Sequence, residues 1–244
     1  MQHLLRFKIV FCILGFFICP RLSNAQLRDG INLPEHDDKS IHFGINVGLN
    51  RSHFSFTHHP LFLQRDSVMV VESINSSGLN LAWLVDKRLS EHFNIRTFPL
   101  DLTFTEKAFE YTLKYPSLIG GGEDTVTIKK IQSISLTFPL QLKFSSDRIG
   151  NFKVYMMGGG KVEFDMAANA GARKAENLIK LNRLDYGIEA GLGFHFYYPY
   201  FVLTPELKVG WGLGNLHARD PDLKFSNVID KINSRTITFS LTVE

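Results

Sequence analysis

From Ser133 to Ser145 the chain reads Ser-Ile-Ser-Leu-Thr-Phe-Pro-Leu-Gln-Leu-Lys-Phe-Ser. Each even position from Ile134 to Phe144 is large and apolar, and each odd one is polar, small or proline. Successive side chains of a strand point to opposite faces, so this segment has one apolar and one polar face. The rhythm recurs in Ile41–Leu49, Phe152–Met166, Tyr186–Phe196, Phe201–Leu213 and Ile237–Val243. Such repetition predicts an all-β fold. It also raises the question of which face meets solvent.

The beginning of the chain narrows the answer. Arg6 and Lys8 precede an apolar run from Ile9 to Cys19, and Ser23-Asn24-Ala25 offers small residues at a peptidase site. This predicts a signal peptide over 1–25, cut between Ala25 and Gln26. The apolar run falls short of the ~20 residues a spanning helix needs. Phe16-Phe17-Ile18 before Cys19 lacks the small residues of a lipid-attachment site. Both cysteines, Cys12 and Cys19, fall in the leader, so the mature chain has no disulfide and no cysteine metal site. The 27 basic and 24 acidic residues include Arg6, Lys8 and Arg21, and removing those three leaves 24 of each. A balanced mature chain is no candidate for nucleic-acid binding. After residue 25 no apolar stretch is long enough for a spanning helix, so any membrane crossing must use strands.

Strands are expected near 41–53, 78–89, 92–105, 130–145, 151–166, 181–197, 200–213 and 234–244. Their connections alternate. Those after strands two, four and six are short (Ser90-Glu91, the 146–150 turn, Tyr198-Pro199), and those near 54–77, 106–129, 167–180 and 214–233 are long and polar. Outer-membrane barrels combine short periplasmic turns with long extracellular loops. The expectation is therefore an eight-stranded antiparallel transmembrane β-barrel over 41–244, with four long extracellular loops. Its location would be the outer membrane, with lipid around it and both termini in the periplasm. Residues 26–40 would be a periplasmic lead-in. An apolar face the length of Ile134–Phe144 suits the ~9–11 residues of a tilted spanning strand. Closure follows because an open edge in lipid strands unpaired backbone groups. Phe93, Phe144, Phe152, Tyr197, Tyr198, Tyr200 and Phe201 gather near the short turns, as an aromatic girdle would.

A soluble barrel with an apolar interior would show the opposite arrangement. Here the polar face carries Gly44, Gly48, Gly159, Gly187, Gly191, Gly193, Gly210 and Gly212, which relieve crowding in a narrow lumen. The same face carries Lys143, Lys153, Lys161, Glu163, Asp165, Glu189, His195, Glu206 and Lys208. Lys143, Lys161, Glu163, Asp165, Glu189 and Lys208 are expected to form a structural charge network in that lumen. Pro139 and Pro205 fall mid-strand, where proline removes a ladder hydrogen bond. The apolar parity also changes between Ile95 and Phe98, which a bulge near Arg96–Pro99 would reconcile.

Little points to catalysis. His53, His58 and His59, with Asp66 beyond, are the candidates for a metal site or a hydrolase dyad. They lack a fixed ligand spacing, and no serine stands in a nucleophile motif. Gly120-Gly121-Gly122 and Gly158-Gly159-Gly160 do not open a helix after a strand, so neither is a phosphate cradle. Gly158–Gly160 instead suggests a bend or a close backbone approach. No enzyme activity, cofactor or resident metal is expected, and eight strands leave an interior that side chains nearly fill.

Several stretches, in order, carry a resemblance. They are Asp38-Lys39-Ser40-Ile41-His42-Phe43-Gly44, Phe138–Phe144, Gly158-Gly159-Gly160-Lys161, Tyr198-Pro199-Tyr200-Phe201, Pro205-Glu206-Leu207-Lys208 and the stretch from Ile229-Asp230-Lys231 to Glu244. The chain resembles the PorT/SprT family of outer-membrane barrels from the type IX secretion system. The resemblance implies a non-enzymatic part in exporting cargo with C-terminal sorting domains, in company with other type IX secretion components. It supplies no catalytic residues. A barrel enzyme acting on lipid or peptide, and a general adhesion or small-solute barrel, are the alternatives. Glu244, following Val243, departs from the aromatic usual at the end of outer-membrane barrels.

Overall fold

Nine antiparallel strands close into a barrel of eight staves. The computed structural model describes residues 30–58, 68–113, 126–167, 181–218 and 229–244. The strands are β1 (Ile41–His58), β2 (Val68–Ile74), β3 (Ser76–Arg88), β4 (Phe93–Leu113), β5 (Val126–Ser145), β6 (Phe152–Asp165), β7 (Leu184–Tyr197), β8 (Val202–Gly212) and β9 (Ile229–Val243). β1 pairs with β3, β3 with β4, each strand from β4 to β8 with the next, and β9 returns to pair with β1. β2 and β3 lie one after the other along the same edge of β4, so together they make one stave.

The expected strands are present, but several run further toward the long-connection rim. β1 continues to His58, β4 to Leu113, and β5 and β9 begin at Val126 and Ile229. β2 lies wholly inside the segment expected as a loop over 54–77. The reason is that alternation marks only staves with one apolar face. Beyond that band apolar residues are interleaved with long polar stretches, yet backbone pairing continues, as in the ladder that reaches Thr112 opposite Val126.

Register sets the shape. One row of partners runs His42, Asp86, Arg96, Gln141, Gly159, Glu189, Gly210, Thr236 and returns to β1 at Ser52. The row thus climbs from residue 42 to 52, a stagger of ten, in one circuit. With a rise of ~3.3 Å and a strand spacing of ~4.8 Å, eight staves with that stagger tilt by about 41° and give a backbone radius of about 8 Å. Side chains can fill such an interior.

The irregularities fall where the sequence placed them. The β4 register breaks against β5 between Thr97 and Asp101, and against β3 opposite Trp83–Val85. This is the bulge expected near Arg96–Pro99. The extra residue falls at Pro99–Leu100, both exposed, so Phe98 keeps the inward parity of Arg96, against the expectation of an outward residue, and packs fully buried with Ala82 and Leu84. Pro139 sits opposite the break, so its missing N–H falls in an interrupted ladder. Pro205 likewise lies where the β7–β8 pairing skips from Gly193–Glu206 to Phe196–Leu203. His195 Nδ1 meets Thr204 Oγ1 at 2.8 Å inside that gap.

The two faces separate cleanly. Ile134, Phe138, Leu140, Leu142, Met156, Leu192, Leu207, Phe239 and Leu241 are exposed on the outside. Inside are Asn46, Asp86, Arg96, Gln141, Lys143, Glu206, Ser240 and Thr242, all buried. Apart from the Ala82, Leu84 and Phe98 cluster, the core of this molecule is mainly polar, and its exterior is apolar. Near the short turns, the Phe93–Phe144, Phe152–Phe196 and Tyr198–Phe201 ring pairs lie 5.1, 5.3 and 4.9 Å apart. Tyr197 does not join them, because its parity turns it inward, where it is buried. The turn between β5 and β6 uses Gly150 at φ 60°, a left-handed position that glycine adopts without strain.

Candidate functional site in the capped lumen

The lumen holds three layers along the staves. At mid-height Arg96 is fully buried among acids. Its guanidinium contacts Asp86 Oδ2 at 3.1 Å, Glu206 Oε1, and Glu244 Oε1 at 3.6 Å. Arg96 Nη1 also donates to the Tyr155 hydroxyl, at 3.3 Å, and that hydroxyl donates to Glu206. Lys143 donates to Asp86, and Lys208 Nζ lies 3.8 Å from Glu206 Oε2. Three carboxylates therefore share Arg96, Lys143 and Lys208. In a low-dielectric interior such charges persist only when paired and hydrogen-bonded.

Glycines let partners meet across an intervening strand. Gly159 stands between Gln141 and Glu189 in one row, and Gln141 Nε2 donates to Glu189 over it. A Cβ on Gly159 would lie 2.0 Å from Leu140 O and 2.7 Å from Gln141 Cα, both backbone atoms. Gly193 stands between Tyr155 and Glu206 in the same way, and a Cβ there would lie 2.2 Å from the Tyr155 ring. A Cβ on Gly158 or Gly160 would meet nothing closer than 3.8 Å, so the close approach in that triplet belongs to Gly159 alone. Gly159→Ala is expected to lower stability by about 1–3 kcal/mol, because strands β5 and β6 must separate. A urea titration of the barrel in detergent reads this directly, and an unchanged midpoint would contradict the packing.

The sequence-predicted network residues all line this lumen, with other partners than each other in most cases. Lys161 Nζ meets Glu163 Oε2 at 3.4 Å. Lys143 and Lys208 pair with Asp86 and Glu206 instead. Asp165 accepts from Ser133 Oγ at 2.7 Å, and Glu189 accepts from Gln141. The alternating pattern does not mark Asp86, Arg96, Tyr155 and Glu244 as a network. In β3 the inward face reads Ala82, Leu84, Asp86, so apolar residues mask the charge, and Arg96 sits beside the bulge.

Above this layer a polar cavity of about 40 Å³ is lined by Asn80, Asp101, Lys161, Glu163, Glu189 and Lys208 among others. Below it, toward the short turns, a second cavity of about 20 Å³ is lined by residues including His36, His42, Lys143, His195 and Glu244. Spaces of this size suit water and not solutes.

Residues 32–40 cap the lower mouth. Asn32 N donates to Asn151 Oδ1 at 2.8 Å, and Asn32 Nδ2 to Tyr197 O at 3.0 Å. Asp37 meets Arg148 at 3.4 Å and Lys153 at 3.3 Å, and accepts from the Tyr197 hydroxyl at 2.8 Å. The Arg148 guanidinium stacks 3.6 Å from the Tyr197 ring centre and donates to Leu33 O and Asn32 O. Burial alone would raise the Asp37 carboxyl, but the Tyr197 hydroxyl and the Lys153 ammonium outweigh it and hold it below the ordinary 3.8. Burial and then the neighbouring His42 lower the His36 imidazole below 6.5, so it is neutral at pH 7.

A depressed carboxylate contributes stability that is present above its unfolded value and is lost as pH falls through the lower folded one. Cap docking should thus hold at neutral pH and fail as pH falls below 3.8. Asp37→Asn should loosen it at pH 7 by about 1–2 kcal/mol, discounted for the partial exposure of Asp37. Both cysteines, Cys12 and Cys19, lie within residues 1–25, so in a chain expressed from residue 26 spin labels at Glu35→Cys and Ile149→Cys read the docking. A distance distribution that stays narrow in acid, and in Asp37→Asn, would contradict this account.

Only part of the set of catalytic candidates falls among the described residues. His53 is exposed on the outer side of β1. The backbone of His58 ends that strand, while its side chain, His59 and Asp66 lie outside the described residues.

Three solved structures are among those similar to this chain. Neisserial surface protein A is 10% identical over 84% of this chain and 99% of its own, with a TM-score of 0.44. OprG from Pseudomonas aeruginosa is 14% identical over 82% and 93%, with a TM-score of 0.42. Ail from Yersinia pestis is 12% identical over 84% and 99%, with a TM-score of 0.39. No curated protein matches the chain. A family model described as outer membrane protein beta-barrel domain matches residues 24–218. That match spans most of the sequence, and with a closed barrel apolar outside and polar inside, the chain belongs to the outer membrane protein β-barrel domain family.

Proposed function

We propose that this chain is a non-enzymatic component of the type IX secretion system, needed to export cargo bearing C-terminal sorting domains. The ordered sequence resemblance to the PorT/SprT family supports the reading. The observation that carries it structurally is the filled lumen: Arg96, Asp86 and Glu206 are fully buried at mid-height, so a polypeptide or solute has no room to pass inside. Work must then be done on the rims. In this reading the short turns and the cap over 32–40 face the periplasm, the long connections face outward, and other secretion components contact one of these rims.

The test is a deletion strain in which one cargo with a C-terminal sorting domain is followed in periplasm and medium. Cargo trapped in the periplasm and released by complementation is the expected result. Normal export would remove the proposal and bring forward adhesion or a barrel enzyme. Replacing His58, His59 and Asp66 together by alanine should leave export intact, and a loss of export with normal protein levels would favour the enzyme.

A further inference from the structure

We propose that His36, His42 and Glu244 bind one divalent transition-metal ion of the zinc class at the capped mouth. One ligand atom from each lies within 4.8 Å of those of the other two. Zn–N and Zn–O bonds of ~2.0–2.2 Å put tetrahedral ligand atoms about 3.3–3.5 Å apart, so small rotations of three side chains close the set. Two imidazoles and one carboxylate are a zinc donor set that leaves one position for water. The site thus selects a borderline metal over calcium or magnesium, which prefer oxygen alone.

A second observation points to a ligand. His36 Nδ1 and Glu244 Oε1 are buried and have no hydrogen-bond partner. Buried polar atoms are normally satisfied, and an ion is one way to satisfy both at once. The two imidazole rings lie 4.5 Å apart, and both line the lower cavity with Glu244. Arg96 stands 3.6 Å from Glu244, and Lys143 lines the same cavity. Asp37 and Asp86 offset that positive charge, since Lys143 and Arg96 pair with Asp86.

The consequence is mechanical. His36 belongs to the cap, His42 to β1, and Glu244 follows β9. An ion held by all three would tie the cap to the seam where the barrel closes, between its first and last strands. Binding energy at such a site is folding energy for the segment it orders.

The experiment uses the refolded full barrel in detergent, stripped with a chelator and titrated with Co²⁺. Four-coordinate Co²⁺ gives intense visible bands. One equivalent should bind, and Zn²⁺ should displace it. His36→Gln lies outside the barrel and leaves it folded, which heat-modifiable gel mobility verifies. It should weaken binding by at least ~100-fold, beyond the ~10–100-fold typical of losing a group behind a ligand. His42→Gln should do the same. Zn²⁺ should also narrow the spin-label distance across the cap. No saturable Co²⁺ binding, or wild-type affinity in both histidine variants, would overturn the proposal. So would a signal lost only in His92→Gln, since Glu91, His92 and Asp147 form a separate exposed cluster.

Discussion

Arg96→Ala is expected to destabilise the barrel by about 3–5 kcal/mol, the cost of removing one partner from a buried ion pair. Arg96 faces Asp86, Glu206 and Glu244, and without it Lys143 and Lys208 remain to offset three buried carboxylates. The loss is therefore not that of one contact but of the charge that permits the others to be buried. Arg96→Met with Glu206→Gln should recover much of it, because removing both members of a pair avoids the stranded charge. Urea midpoints in detergent, with gel mobility as the measure of folding, give the comparison. Equal stability of Arg96→Ala and the parent would mean that the acids are not held by this guanidinium.

Leu192→Arg should cost about 2–4 kcal/mol in a bilayer, because it places a charge on the lipid face at mid-height. Leu192 points outward from β7 in a row with Met156, Leu207 and Phe239, all about half exposed and all apolar. Tyr200→Arg, at the tip of a short turn where Tyr200 is 92% exposed, should cost only ~0–1 kcal/mol, since charges near the interface reach water. The contrast matters more than either value. On a barrel surrounded by water both substitutions would be nearly neutral, so equal and small effects in vesicles would remove the lipid-facing assignment.

The alternation in Ser133–Ser145 and its repeats carried the strand number, the closure and the inside-out distribution of polarity. Period-two patterning can do this because each inward position must be polar or small, and each outward one apolar, for as long as the stave crosses lipid. The same logic exposed Pro139, Pro205 and the parity change near Arg96–Pro99 as irregularities, and the ladders break there. It also marked Gly158–Gly160 as a place of close approach, though it did not single out Gly159. Where patterning stops, so does this legibility. β2 and the outer ends of β1, β4, β5 and β9 fall in the segments between the regularly alternating runs, and their few apolar residues do not extend that rhythm.

Which lumen charges meet was decided only by the stagger of the closed barrel. Lys143 and Asp86 are 57 residues apart, and Arg96 and Glu206 are 110 apart. Their pairing depends on the climb from His42 to Ser52 around the circuit and on glycines that clear the space between partners. The cap is of the same kind, since Asp37 finds Arg148, Lys153 and Tyr197 only once the short turns are gathered at one rim. Alternation is a local property of each strand, so the sequence displays the wall. Contacts across the lumen depend on register summed over all staves, which no single strand encodes.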